Sequence, residues 1–583
     1  MNHLLNIIDS VRSWLTPKDP HNFEHSLRFI GFAAPRPIPK RNEFQYRQYQ
    51  NIVFKALRTN LQGDFANRII DEYHHPEADI DLIVETLKKS DRPVHQIPID
   101  KHYLDAWHFT RTLFAPPTPL RPVHLADMRF YKWNWHPNVE EPFASNKDLI
   151  HSVQQAATAG LLPGGRMSFG NLRNVVFIRV REFMHQIKRK MITDLESLYP
   201  MVNIHVKPAL TKKPKRKVRV IAGITKLHVI PSAQRFWPLF RYWIESGNTP
   251  MLWGYETILG GMQSLHSLFS VPHPFTATFV TVDWPAFDLR VNKDERVRCY
   301  DCYESYFDFD NGYIPTRFYP NSSADPAHLR AAWQWIRDAT TKMPLRLPDG
   351  STYVMNDDYA FVFSGLFQTQ SDDSLINHAR IMTILSFLGF DISTSVKLLV
   401  EGDDSATKLF FFIPKSVEDE FTLAFSNAAL YYFGSSLEDN IEVRNTFQDA
   451  EVLGYRNWNG FPKRDEEKLL AMLAHPRGAP TLSTLMARVC GFQWASIYAY
   501  PQVTHVNLDI YNHLKSNNIT PSPWRHQRDV ILHGEATFRV PTDHFPSMAE
   551  VTRYIRSPYK RTLEDREYYF PGYTPESHFK SFF

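Results

Sequence analysis

The pattern of apolar and polar residues predicts strands in the middle of the chain. Residues 278–282 read Thr-Phe-Val-Thr-Val, and this run of β-branched and aromatic residues predicts a strand that ends at Asp283. Residues 395–412 hold two strand-like runs around Gly402-Asp403-Asp404, which predicts a hairpin with two carboxylates at its tip. The apolar segment 381–388 follows a polar loop and predicts a helix.

Helical patterns dominate the two ends of the chain. Residues 1–15 predict an amphipathic helix, because charged residues interrupt an apolar stretch that has no basic segment before it, unlike a signal peptide. Helices broken by proline-rich connectors such as 34–39 continue to about residue 105, and a mostly helical part follows Pro476. No apolar run approaches the roughly 20 residues of a membrane span, so we expect a soluble intracellular protein without membrane contact.

Length and composition exclude a disordered chain and a disulfide-stabilised one. Of 583 residues, 43% are hydrophobic, which is enough to bury a large core. At about 150 residues per domain, this length corresponds to roughly four domains or one multi-lobed enzyme. Cys299, Cys302 and Cys490 are too few for a disulfide framework and indicate structural thiols in a reducing compartment.

A formal charge of only +4 conceals a strongly basic segment. Seven Lys or Arg residues and no acid lie between Lys207 and Arg219. A solvated surface run is the ordinary explanation of such a segment, and a phosphate-binding segment is the functional one. Residues 217–221 alternate between cationic and apolar side chains, which favours a ribbon that carries its cations on one face.

Each of three further sites has an ordinary structural explanation when taken alone. A turn residue and a helix N-cap would account for Asp283 and Asp288. Hairpin turns commonly contain Asp and Gly, although the adjacent acids at 403 and 404 repel each other unless cations neutralise them. The small-residue loop that begins at Ser364 and leads into a helix is an ordinary loop–helix junction.

The order and spacing of these sites are more specific than any one of them. Asp283 and Asp288, then Ser364-Gly365 and Asn377, then Gly402-Asp403-Asp404 resemble motifs A, B and C of viral RNA-dependent RNA polymerases. Lys217-Val-Arg219-Val-Ile221 resembles motif F, which precedes motif A in that family. A more specific resemblance, to partitivirus polymerases and particularly the alphapartitivirus group, covers roughly residues 50–480. It rests on Met251-Leu-Trp-Gly-Tyr-Glu-Thr257, Ser364-Gly-Leu-Phe-Gln-Thr-Gln370, Val452-Leu-Gly-Tyr-Arg456, Gly460-Phe-Pro-Lys-Arg-Asp465 and Leu469-Leu-Ala-Met-Leu-Ala-His-Pro476.

The resemblance implies an α+β right-hand polymerase fold with fingers, palm and thumb, an RRM-like antiparallel palm sheet and a helical N-terminal extension. Residues 1–105 would form an N-terminal extension that bridges fingers and thumb, and residues 106–275 would form the fingers with the basic motif F ribbon, apart from a part of the palm near 226–262. Residues 276–475 would form the palm, with a fingers insertion near 291–360. Residues 476–583 would form the thumb and the C-terminal segment.

The resemblance also implies RNA-directed RNA polymerase activity by two-metal nucleotidyl transfer. Asp283 and Asp403 would be the main ligands of two Mg²⁺ ions, with Asp404 as a supporting acid and Mn²⁺ as a substitute, since hard cations prefer carboxylates. Asp288 and Asn377 would hold the 2′-hydroxyl of the incoming nucleotide, so that a substrate without it leaves buried partners unpaired.

Two further groups of residues would contact nucleotide and RNA in such a polymerase. Lys217 and Arg219 would neutralise the triphosphate. The general acid that protonates pyrophosphate stays unassigned, because Arg444 stands where the family has a lysine and a guanidinium stays charged. The predicted template and RNA contacts are Ser364, Gly365, Thr369, Lys212, Lys213, Lys215 and Arg216.

The implied partners are an RNA template and product, NTPs and a viral capsid protein. They suit a monomeric polymerase that replicates and transcribes a double-stranded RNA genome in two segments, packaged in a virion in the host cytoplasm. A reverse transcriptase is one alternative, against which Asn377 and Gly402 argue. A non-catalytic RNA-binding, capsid-associated protein is another, which the intact Asp283, Asp403 and Asp404 disfavour.

Overall fold

The computed structural model describes residues 18–131, 133–270, 276–521 and 540–556. The amphipathic helix expected over residues 1–15 lies outside the described residues, as do residues 557–583 of the expected C-terminal segment. Within the described ranges the chain mixes helix and sheet, which confirms the α+β expectation at that level. None of the described helices is long and apolar enough to cross a membrane.

Helices surround the sheets and dominate both ends of the described chain. The helices are α1 Glu43–Asn60, α2 Gly63–Asn67, α3 Ile80–Leu87, α4 Lys101–Phe114, α5 Lys147–Thr158, α6 Arg173–Lys188, α7 Leu195–Leu198, α8 Lys226–Ser246, α9 Gly261–Phe269, α10 Lys293–Tyr306, α11 Pro326–Lys342, α12 Thr369–Phe387, α13 Glu418–Phe433, α14 Glu466–Ala474, α15 Leu482–Ser496, α16 Pro501–Ser516 and α17 Met548–Arg556.

The strands form four separate sheets with the orders β1-β8-β7-β3-β5, β11-β6-β10-β9, β12-β13-β14 and β2-β4. The strands are β1 Leu27–Phe32, β2 Tyr73–His74, β3 Val202–Pro208, β4 Thr211–Lys212, β5 Val218–Gly223, β6 Thr278–Val282, β7 Leu345–Arg346, β8 Ser351–Met355, β9 Val396–Glu401, β10 Asp404–Leu409, β11 Ile441–Arg444, β12 Glu451–Val452, β13 Tyr455–Trp458 and β14 Phe461–Lys463.

The four-stranded sheet is antiparallel throughout, and its two middle strands are the ones that the sequence pattern predicts. β6 ends immediately before Asp283, and β9 and β10 form the expected hairpin. Gly402 makes the turn at a φ of 64°, in the left-handed region that glycine enters without a Cβ penalty. Both strand predictions are therefore confirmed.

Helix α12 runs through the centre of the core, and its residues from Ser371 to Leu385 are all buried. It begins at Thr369, whose hydroxyl donates to the carbonyls of Phe363 and Leu366 in the preceding turn. The helix therefore begins well before the apolar segment 381–388 that predicts it, and Asn377 lies about two turns from its start.

The N-terminal part of the chain contacts three distant regions. β1 pairs with β8, and β2 pairs with β4 next to the basic segment. Residues of α1 share an apolar core with α14, α15 and α16, and the Tyr49 hydroxyl donates to the Leu473 carbonyl at 2.7 Å. The three cysteines are buried and make no disulfide, as expected of structural thiols.

Candidate active site

The acids of the first and third motifs meet at one edge of the four-stranded sheet. β6 and β10 are antiparallel neighbours in which Val280 lies opposite Thr407. Continuing this register by three residues places Asp283 opposite Asp404. The Asp283 amide donates to the Asn440 carbonyl at 2.9 Å, which extends the pairing of β6 with the segment before β11. Sheet pairing thus brings together residues 121 positions apart in the sequence.

The acids of the hairpin lie in an open cleft and repel one another. Asp403 and Asp404 are solvent-exposed, yet protein surrounds them on most sides. Burial, followed by the negative charges of Asp403, Glu401 and Asp283, raises the pKa of Asp404 to about 7. Burial and Asp283 also raise the pKa of Asp403, while Arg219 and Lys217 oppose that shift. Asp283, Asp403 and Asp404 therefore lie close together without enough neighbouring positive charge to neutralise them.

This donor set fits a divalent cation. Hard cations take carboxylate oxygens as ligands, and a cation relieves the repulsion that raises the pKa values here. Within the described ranges no three His, Cys, Asp or Glu side chains converge on one coordination point. Ion binding therefore requires the Asp283, Asp403 and Asp404 side chains to turn toward one another.

Two cations of the basic segment, Lys217 and Arg219, lie within electrostatic range of these acids. Both Lys217 and Arg219 are exposed at the start of β5, which pairs with β3. The pKa of Lys217 is lowered by burial and by Arg219, Lys89 and Lys215, whereas Asp283 acts to raise it. The mutual effects of Lys217, Arg219, Asp283 and Asp403 mean that the cations and the acids lie within electrostatic range of one another around the exposed hairpin tip.

The loop at 364–369 packs directly on β5. The Ser364 hydroxyl donates to the Val220 carbonyl at 3.2 Å. A Cβ added to Gly365 would lie 1.9 Å from the Ala222 carbonyl oxygen, so this backbone approach requires glycine. The predicted template-contact loop therefore lies next to the cations of the basic segment.

Asn377 joins three segments of the site. Its Oδ1 accepts a hydrogen bond from Trp284 Nε1 at 2.8 Å. Its Nδ2 donates to the carbonyls of Gly402 and Asp404 at 3.0 and 3.3 Å. Ser374, one turn earlier, accepts a 2.8 Å hydrogen bond from the Gly402 amide. The buried face of α12 thus holds the hairpin tip and the turn after β6.

Asp373 is a residue of this site that sequence reasoning missed. It is buried on α12, one turn before Asn377, and its Oδ1 has no hydrogen-bond partner among the residues that the structure describes. Burial, followed by Asp288 and Asp403, raises its pKa well above the usual range. Burial and Asp403 also raise the pKa of Asp288. The only available signal was the four-residue spacing between Asp373 and Asn377, which puts both on one helix face.

Buried ion pairs brace this arrangement and were also missed. Arg380 donates to Glu295 at 2.6 Å, and its guanidinium lies 5.1 Å from the centre of the Trp284 ring. Arg296 lies 2.9 Å from Asp372, the neighbour of Asp373. These pairs fix α12 against α10, and nothing in the local sequence predicts them.

The other predicted RNA-contacting cations divide into two groups. Lys212 pairs with Glu467 at 2.6 Å, and Arg216 pairs with Asp79 at 2.5 Å. Lys213 and Lys215 are exposed and have no carboxylate partner among the described residues. Arg444, at the unassigned general-acid position, is engaged with Glu442 and lies 3.4 Å from Asp449.

Nearly the whole sequence is similar to known proteins. No protein-family model matches it. The chain is 30% identical to the RNA-directed RNA polymerase of White clover cryptic virus 1 (isolate Boccardo/2004), over 95% of this chain and 96% of that protein. It is 23% identical to the RNA-directed RNA polymerase of Atkinsonella hypoxylon virus (isolate 2H), over 95% and 92% of the two chains. This chain, with its acids on paired strands and its cations facing them, therefore belongs to the family of viral RNA-directed RNA polymerases of the partitivirus type.

Proposed function

We propose that this chain copies an RNA template into RNA by nucleotidyl transfer in the cleft where Asp283, Asp403 and Asp404 meet. One observation carries the proposal: acids from two separate motifs share an open cleft with Lys217 and Arg219. Its likeness over nearly the full length of two RNA-directed RNA polymerases supports the same activity.

The acids would hold two Mg²⁺ ions, for which Mn²⁺ is the expected substitute. Asp283 and Asp403 are the proposed main ligands, and Asp404 supports them. When bound, such ions supply positive charge to the attacking and leaving oxygens of nucleotidyl transfer. Lys217 and Arg219, which face the same acids, bind and orient the triphosphate of the incoming nucleotide.

The proposed sugar contacts are Asp288 and Asp373. Both acids lie close enough to Asp403 for its charge to raise their pKa values, and Asp373 Oδ1 is unpartnered. A carboxyl that keeps its proton donates a hydrogen bond to a ribose hydroxyl. Asn377 is then a positioning residue, because both N–H groups of its amide already bond the hairpin backbone.

The lobes of a right-hand polymerase are proposed as follows. The antiparallel sheet with α12 and α8 forms the palm, and the five-stranded sheet with α6 belongs to the fingers. The C-terminal helices α15 and α16 belong to the thumb, and the contacts of α1 with them and with α14 support an N-terminal extension that bridges the lobes. Of the basic residues, Lys213 and Lys215 are free to contact RNA, whereas Lys212 and Arg216 also hold neighbouring acids.

The biological setting is proposed from the relatives. The polymerase would replicate and transcribe a double-stranded RNA genome as a monomer, together with a capsid protein, inside a virion in the host cytoplasm. Nucleic-acid and nucleotide partners follow from the activity itself.

A primer-extension assay on an RNA template tests the proposed function. The purified full chain should incorporate rNTPs when Mg²⁺ is added and stop when it is chelated. Preferential dNTP incorporation would identify a reverse transcriptase instead. RNA binding without extension, under both Mg²⁺ and Mn²⁺, would identify a non-catalytic capsid-associated protein.

A further inference from the structure

A cavity of about 600 Å³ lies away from the catalytic cleft and shares no residue with it. Helix α6, the segment 124–129, the segment 313–325 and the start of α11 form its walls. Its basic lining residues are Arg129, Arg181 and Lys188, together with the imidazoles of His124, His185 and His328. The proposed polymerase chemistry gives this cavity no role.

The positive charge of the cavity is not compensated locally. Asp325 is the one carboxylate among the lining residues, and it lies 3.8 Å from His328. Lys188 donates to the Tyr313 hydroxyl at 2.9 Å, and Arg129 donates to the Asn174 side chain at 3.1 Å. Neither of these neutral partners cancels a charge. Arg181 makes no hydrogen bond or ion pair with any described residue and is exposed to solvent.

The histidines report the positive potential inside the cavity. Burial, followed by Lys188, Arg181 and His185, lowers the pKa of His124 to about 4. Burial, Lys188 and Arg181 also lower the pKa of His185. Cations in this position disfavour any further positive charge, so an anion that enters the cavity meets a favourable field.

The remaining walls are apolar and aromatic. Phe177 and Met184 line one side, and the His124 and Tyr319 rings stack at 3.6 Å on another. Tyr313 packs edge-on against both rings and fixes their orientation. A surface with clustered cations beside flat apolar walls matches a ligand that carries phosphate next to a sugar and a base.

We infer that this cavity binds a phosphate-bearing ligand, either a segment of RNA held outside the catalytic cleft or a free nucleotide. Arg181 is the principal contact, because its guanidinium is uncommitted and forms the paired hydrogen bonds that phosphate accepts. Lys188 and Arg129 add charge from the two sides. The inference goes beyond the proposed function and does not depend on which residues carry out catalysis.

Two glutamine variants on the same helix test this inference in the full-length chain. Arg181→Gln removes the uncommitted cation, and Arg179→Gln is the matched control, because Arg179 pairs with Glu182 at 3.0 Å and does not line the cavity. The affinity for a short single-stranded RNA is measured over a range of salt concentrations. The affinity for ATP is measured without divalent cations. Unchanged thermal unfolding midpoints show that both variants fold.

The logarithm of the RNA-binding constant decreases linearly with the logarithm of the salt concentration. The magnitude of this slope should fall by about 0.7 for Arg181→Gln, the loss expected for one phosphate contact, and should not change for Arg179→Gln. A fall in the slope with unchanged ATP binding identifies RNA as the ligand. A loss of ATP affinity in Arg181→Gln alone identifies a free nucleotide. Equal RNA slopes and equal ATP affinities for the two variants would overturn the inference.

The rate of primer extension at a saturating concentration of primer-template should be the same in both variants, because Arg181 lies outside the catalytic cleft. This separates the two proposals. Wild-type protein that fails to extend any primer contradicts the proposed polymerase function and leaves the RNA-slope and ATP measurements to decide the cavity.

Discussion

The indole N–H of Trp284 donates a 2.8 Å hydrogen bond to Oδ1 of Asn377. Trp284 directly follows Asp283, and Asn377 also donates to the backbone on both sides of Asp403. One buried amide therefore connects the two segments that carry the proposed metal ligands. The separation of these carboxylates depends on the position of α12 as much as on the sheet.

Asn377→Ala should destabilise the protein and slow incorporation of every nucleotide alike. The substitution leaves the Trp284 N–H and two carbonyls without partners, and each unsatisfied buried group costs about 1–3 kcal/mol. Thermal unfolding, compared with the exposed Asn51→Ala, measures the first effect. A midpoint no lower than that of the Asn51 variant would contradict the proposed positioning role.

Asp403→Asn should abolish nucleotide incorporation without weakening the fold. Asp403 is exposed in the cleft and raises the pKa values of Asp404, Asp288 and Asp373, so its removal relieves repulsion instead of breaking a contact. Extension assays and unfolding midpoints, with Asp439→Asn at an exposed position as the control, separate the two effects. A fully active Asp403 variant would refute the catalytic assignment.

Asp373→Ala should reduce the preference for rNTPs over dNTPs. Loss of one hydrogen bond to the ribose hydroxyl, about 1.4 kcal/mol, corresponds to about tenfold in selectivity. The ratio of kcat/KM for matched rNTP and dNTP substrates measures it. Asn377→Ala provides the comparison, because a positioning residue changes both rates together. If Asn377→Ala alone lowered the ratio, the ribose contact would belong to Asn377.

Gly365→Ala should impair extension because its Cβ would collide with the Ala222 carbonyl oxygen at 1.9 Å. The loop must then move away from β5, and overpacking of this kind costs about 1–3 kcal/mol. Gly478→Ala is the matched control, since a Cβ there meets no atom within 4 Å. Equal activity and equal unfolding midpoints of the two variants would show that the loop tolerates displacement.

Protonation of Asp127 should make the free energy of unfolding decrease as the pH rises from about 4 to 6. Burial raises its pKa to about 6, while a 2.9 Å hydrogen bond from Thr316 opposes that shift. Between about pH 4 and 6 the folded protein retains a proton that the unfolded chain releases, so this stabilisation is present below about pH 4 and lost above pH 6. Asp127→Asn should flatten the profile and unfold at a higher temperature at pH 7.5. Profiles parallel to wild type would exclude this role.

The sequence by itself determined the local secondary structure of the site and the types of side chain at the ends of its strands. Alternating residues specify β6, the Gly402 turn specifies the hairpin, and the order of the motifs indicates the polymerase family. These features depend on local backbone preferences and on residue types, which the sequence displays directly.

Only the tertiary structure decided which side chains meet. Asp373 and Asn377 share a helix face in the sequence, but only the packing of α12 against the hairpin shows that Asn377 is committed to backbone carbonyls while Asp373 remains unpartnered. Likewise, Lys212 and Arg181 are both plain cations in the sequence, and one pairs with Glu467 while the other lines a cavity. Contacts between distant residues depend on global packing, which no local pattern encodes.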